Sequence, residues 1–167
     1  MKTNSKLTSR DGPGVTYLIL LFTAITLAFA AHSASASDQV PFKGRAEGAV
    51  VSMAPDPAGV VLTALASGNA TQLGRFSREE TILLNPMTGT LTGVIVFTAA
   101  NGDQLRCTVV GGFISPTTAT GTYTFTGGTG RFENAAGSAA FIASTPDLVH
   151  LSVEFEGTLS SVGSNKN

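Results

Sequence analysis

The chain has 167 residues, with 10 basic and 11 acidic side chains, a formal net charge of −1, one Cys, no Trp and only 13% charged residues. That charged share is about half of the roughly one quarter usual in globular proteins. It excludes a charge-rich disordered chain, a coiled coil and a basic nucleic-acid-binding surface, so no nucleic-acid partner is expected. A single Cys excludes a disulfide scaffold and a thiolate metal cluster, and the length allows one domain at most.

The first element is a targeting segment. Lys2, Lys6 and Arg10 stand against the single acid Asp11, and the run from Thr16 to Ala30 that follows carries no charge. A basic start, an apolar stretch and then small residues is the order of a secretory signal peptide. The apolar run is shorter than the roughly 20 residues a membrane-spanning helix needs. Small-x-small patterns follow at Ala28-Phe29-Ala30 and Ala34-Ser35-Ala36, and cleavage after Ala36 is expected in preference to an uncleaved anchor. No Cys lies near either pattern, which argues against a lipoprotein anchor. The expected layout is a signal peptide over 1–36 and one β-barrel domain over 37–167, secreted or periplasmic and not membrane-integral after processing. The mature chain would hold seven basic and ten acidic side chains, a net charge of −3.

After Ser37 the pattern turns to period two, with β-branched and aromatic residues between turn signals. The spacing predicts strands over Val40 to Met53, Gly59 to Ala66, Gln72 to Leu84, Leu91 to Ala100, Gln104 to Ser115, Thr120 to Gly127, Ser138 to Ser144 and Leu148 to Ser160. Turn chemistry separates them at Pro55-Asp56-Pro57, Ser67-Gly68-Asn69, Asn85-Pro86, Asn101-Gly102, Ser115-Pro116 and Pro146-Asp147. Asn101-Gly102 reads as a type I′ turn, in which both central residues take positive φ. In the final strand Val149, Leu151, Val153 and Phe155 share one face, opposite His150, Ser152, Glu154 and Glu156. Leu91, Ile95 and Phe97 in the fourth strand, and Tyr123 and Phe125 in the sixth, oppose Thr and Val positions in the same way. The fold class is all-β, and eight one-sided strands joined by short turns form an up-and-down barrel or, alternatively, a β-sandwich.

The segment from Thr122 to Phe141, TYTFTGGTGRFENAAGSAAF, resembles the signature of the allene oxide cyclase and dirigent protein barrels, in which a GGxGxF turn lies between two strands. The resemblance implies an eight-stranded antiparallel barrel with this turn between two late strands. It places the chain beside the secreted, mostly uncharacterised bacterial relatives of that barrel. Allene oxide cyclases fold an epoxy fatty acid inside an apolar barrel, and dirigent proteins steer the coupling of phenolic radicals. Both act mainly through a shaped pocket. The polar cyclase residues belong to motifs with no match here, so the resemblance transfers no catalytic residue. Gly127, Gly128 and Gly130 permit positive φ and close backbone approach, and Phe132 is placed to plug the turn beneath them. Related barrels are often dimers or trimers, and the apolar outward positions Val94 and Val96 leave room for a homo-oligomer.

Chemistry-bearing residues are few. The mature chain has one histidine, His150, on the polar face of the final strand. It is expected to be a solvated surface residue, which leaves neither a His-rich metal site nor a Ser-His-Asp triad to assemble. The glycines from Gly127 to Gly130 are followed by a strand and not by a helix N-terminus, so phosphate binding is not expected. Cys107 shares the apolar phase of Leu105 and Val109 and reads as a buried, inert thiol. Asn69-Ala70-Thr71 is formally a glycosylation sequon. In the third strand, strict alternation from Phe76 to Ile82 and Leu84 carries Arg78 and Glu80 inward. A bulge within Ser77 to Thr81 would turn both outward and is the favoured reading, ahead of a buried pair or a catalytic role. The function expected is an exported, non-catalytic barrel, without cofactor or metal. It would bind an apolar small molecule, lined by some of Phe42, Phe76, Phe97, Tyr123, Phe125, Phe141 and Phe155, or serve an interaction role. The alternatives are a cyclase or isomerase working through a shaped apolar pocket, with Glu80 as its charge, and an outer-membrane barrel.

Overall fold

The computed structural model describes residues 38–160, so the signal segment and its cleavage site lie outside the described residues. Eight strands follow in chain order: β1 (Gln39–Asp56), β2 (Gly59–Ala70), β3 (Gly74–Asn85), β4 (Thr90–Ala99), β5 (Gln104–Ser115), β6 (Thr118–Gly128), β7 (Ala136–Ser144) and β8 (His150–Ser160). Each pairs antiparallel with the next, and β1 also pairs with β8 from Gln39↔Ser160 to Ala49↔His150, closing the barrel. Closure removes every sheet edge. The fold is the all-β up-and-down barrel, and the sandwich alternative falls away.

Inward and outward residues alternate as the sequence predicts. Leu151, Val153 and Phe155 of β8 are buried while His150, Ser152, Glu154 and Glu156 are exposed. Leu91, Ile95 and Phe97 of β4 and Tyr123 and Phe125 of β6 point inward in the same way. Four boundary expectations change. Ser67-Gly68-Asn69 is not a turn but the interior of β2, paired with β1 at Arg45 to Glu47 and with β3 at Arg75 to Ser77. Gly68 belongs there because a Cβ would collide with the Arg45 carbonyl oxygen. β1 runs on through Pro55 and Asp56, and the turn behind it is held by the Ala58 N–H donating to Asp56 Oδ1 at 2.8 Å. At the β4–β5 turn only Gly102 has positive φ, +89°. The Gly102 N–H donates to the Ala99 carbonyl at 2.9 Å, and the Ala99 N–H to the Asp103 carbonyl at 2.9 Å, a four-residue loop where a type I′ turn was expected. Val149, expected on the buried face, precedes β8 and is half exposed, behind Leu148 at φ +62°.

The hairpins divide the barrel into two ends. One end carries the β2–β3, β4–β5 and β6–β7 connections, and the other carries β1–β2, β3–β4, β5–β6 and β7–β8. The first is closed by the glycine segment. Gly130–Phe132 forms a single 3-10 turn, with Gly130 at φ +55° and Phe132 fully buried beneath it. The positive φ inferred for Gly130 is thus present.

Candidate functional site

All seven aromatics singled out in the sequence point inward. Alternation places them on one face of each strand, and closure brings those faces together. Phe42 packs edge-on to Phe125 at 4.9 Å between ring centroids and stacks on Phe155 at 5.3 Å. Phe97 meets Phe76 at 5.3 Å and Phe155 at 5.7 Å. With Phe132, Leu73, Leu105 and Leu159 these rings form a packed core toward the glycine-turn end. Tyr123 and Phe141 stack at 4.6 Å with planes 8° apart.

The opposite end is not filled. A cavity of about 160 Å³ lies there, walled by aliphatic side chains that include Val50, Leu62, Ile82, Leu91, Ile95, Val109, Leu151 and Val153. Of the seven aromatics only Phe141 lines it, while stacked on Tyr123. No ring of the packed half reaches into this end, and Ala119 and Ala143 are short among its branched walls. Its mouth is formed by the exposed Met53, Phe113 and Leu148. Sequence reasoning weighted large rings as pocket walls and passed over this aliphatic set. The signal for it was the run of small and branched inward residues near the Pro55, Pro116 and Pro146 turns.

Arg78 and Glu80 also line the cavity. The favoured bulge is absent: β3 pairs residue for residue with β2 from Gly74↔Ala70 to Leu84↔Val60, and with β4 from Phe76↔Ala99 to Asn85↔Thr90. A bulge would break both ladders, so alternation holds and both charges face inward, with side chains only 3% and 7% exposed. They satisfy each other through an Arg78 Nη2–Glu80 Oε2 ion pair. The guanidinium also lies 5.6 Å from the Phe97 ring centre and 5.4 Å from that of Tyr123, positions at which ring faces attract a cation. Burial alone would lower the Arg78 pKa, but the Tyr123 hydroxyl and Glu80 carboxylate hold it above the ordinary arginine value. Burial raises the Tyr123 hydroxyl above its usual range and pushes the Cys107 thiol up to about 12. Cys107 is therefore a buried, protonated thiol. Three buried polar atoms make no hydrogen bond of normal distance and angle among the described residues: Arg78 Nε, Arg78 Nη1 and Tyr123 Oη, the last interacting with the guanidinium closely enough to raise the arginine pKa.

His150 is exposed, as expected, but it is paired: Nδ1 meets Asp147 Oδ2 in the loop before β8. Hydrogen bonds from the His150 side chain and from the His150 and Val149 backbone hold the Asp147 carboxyl well below the usual carboxylate range. Among the described residues no group of three His, Cys, Asp or Glu could hold a metal ion.

No family model matches the chain, and no curated protein matches it. Solved structures do. The pterocarpan synthase dirigent protein GePTS1 superposes with a TM-score of 0.57 at 15% identity, over 73% of this chain and 87% of that one. The pterocarpan synthase dirigent protein PsPTS1 gives 0.57 at 14% identity, over 74% and 95%. Strand number, closure and the position of the glycine turn between β6 and β7 match what the sequence resemblance implied. The chain therefore carries the eight-stranded antiparallel barrel fold of the dirigent and allene oxide cyclase-like family.

Proposed function

We propose that this chain is an exported barrel that binds an apolar small molecule in the cavity opposite the glycine turn, without transforming it. The observation that carries the proposal is the division of the barrel interior: one half packed with rings, the other left as an aliphatic hollow of about 160 Å³ with a mouth at the hairpin end. An engineered cavity of about 150 Å³ in another protein admits benzene, so a ring-sized ligand, or the ring-sized end of a longer one, matches this volume.

The outer wall supports a water-facing barrel. Lys43, Arg45, Glu47, Glu79, Arg106, Glu154 and Glu156 are all exposed, and Lys43 pairs across strands with Glu156 at 3.1 Å. An outer-membrane barrel needs an apolar band where these charges stand. Glu80, the charge the cyclase alternative would use, is engaged by Arg78, which favours binding over proton transfer. Export rests on the order of residues in 1–36, and the intact mass of secreted or periplasmic protein tests it: the mature form is expected to begin at Ser37. Native mass spectrometry of protein purified from its own source tests the binding. A small molecule released on unfolding is expected; a bare chain that ring-sized apolar compounds also fail to stabilise would refute the reading.

A further inference from the structure

We infer that the ligand presents a neutral, hydrogen-bond-accepting oxygen, such as a ketone, aldehyde, ester or ether, to the free guanidinium donors of Arg78. This rests on the cavity being the binding site. The guanidinium carries five N–H donors in a fixed fork. Glu80 engages Nη2, the Tyr123 hydroxyl also interacts with the guanidinium, and neither Nε nor Nη1 makes a hydrogen bond of normal geometry among the described residues although the side chain is buried. A buried donor left unpaired is destabilising, and these donors belong to a residue that borders a mainly apolar hollow. An acceptor oxygen entering that hollow satisfies them, whereas a hydrocarbon of equal shape leaves them unpaired.

The charge balance selects the kind of oxygen. Arg78 and Glu80 cancel, Tyr123 and Cys107 beside them are held neutral by their raised pKa values, and no other charged side chain lines the cavity. A carboxylate would therefore add a second, uncompensated negative charge next to Glu80 in a water-poor space, where desolvation outweighs attraction unless pairing is complete. A carbonyl supplies the missing acceptor and adds no charge.

Three ring-sized probes of similar shape separate these cases: ethylbenzene, acetophenone and benzoate, titrated into the purified full chain at pH 7 by calorimetry. Acetophenone is expected to bind about 10- to 100-fold more tightly than ethylbenzene, the range for a hydrogen bond to a charged group, and benzoate more weakly than acetophenone. The Arg78→Met/Glu80→Leu double variant is expected to keep ethylbenzene binding and lose the carbonyl preference. Should that variant fail to fold, Arg78→Lys keeps the ion pair, removes the fork and is expected to lose the preference likewise. Equal binding of ethylbenzene and acetophenone, or a preference that survives both variants, overturns the inference and leaves cavity binding standing. Tightest binding of benzoate overturns it in favour of an anion site. Binding of none of the three overturns the inference together with the proposed function.

Discussion

Replacing Arg78 by Met tests the inward phase of β3 directly. The substitution leaves the Glu80 carboxylate, 7% exposed, without the partner that neutralises it. Removing one member of a buried pair costs about 3 to 5 kcal/mol, and losing the cation over the Phe97 and Tyr123 rings adds about 0.5 to 2 kcal/mol. Single domains are usually stable by only about 5 to 15 kcal/mol, so the variant is expected to be marginal. At roughly 3 to 5 °C per kcal/mol for a barrel of this size, its melting temperature falls by roughly 10 to 35 °C. The Arg78→Met/Glu80→Leu double variant behaves differently. Apolar replacement of a whole buried pair is neutral or stabilising by about 1 to 4 kcal/mol, so the double variant should melt at or above the parent. Urea and thermal unfolding of the parent, both single variants and the double variant complete the cycle. An Arg78→Met protein within about 1 kcal/mol of the parent would show a solvated pair, and the bulged strand favoured by sequence reasoning would return.

Gly130→Val is expected to lower stability by about 1 to 3 kcal/mol, because Gly130 sits at φ +55° and a Cβ would collide with the Asp103 carboxylate; a melt unchanged from the parent would contradict that turn geometry. His150→Ala, on the exposed face with its Asp147 partner, should move the melting temperature by no more than about 2 °C. A larger loss would mean that the pair organises the loop at the cavity mouth. Cys107, with its thiol pushed up to about 12, should resist a thiol reagent at pH 8 in the folded protein and react fully in denaturant; fast labelling of native protein would show an open barrel wall. Asp147 is depressed in the folded state, so whatever stability it contributes is present above the ordinary Asp range near pH 4 and is lost as pH falls through its lower folded value. Carboxyl NMR titration should find its midpoint below that of the other aspartates, and an ordinary midpoint would remove the pair from the account.

The strand count, the inward faces of β4, β6 and β8 and the positive φ of Gly130 were legible in the chain alone, because period-two alternation and glycine chemistry are local properties. Local chemistry also misled where the ladder overruled it. Ser67-Gly68-Asn69 has turn composition, yet pairing on both sides keeps it extended. The buried Arg78 and Glu80 look improbable one at a time, and only an unbroken register with both neighbouring strands forces them inward together. The pocket was the least legible feature. Seven inward rings suggested a ring-lined site, but alternation specifies a face and not a height along the barrel axis. Closure and stagger set those heights: they gather six of the rings into one packed half, and leave branched aliphatic side chains of the other half around a hollow bordered by Arg78, two of whose guanidinium nitrogens are unpaired. Which side chains meet across the interior is a long-range consequence of the β1–β8 ladder, which no window of the sequence contains.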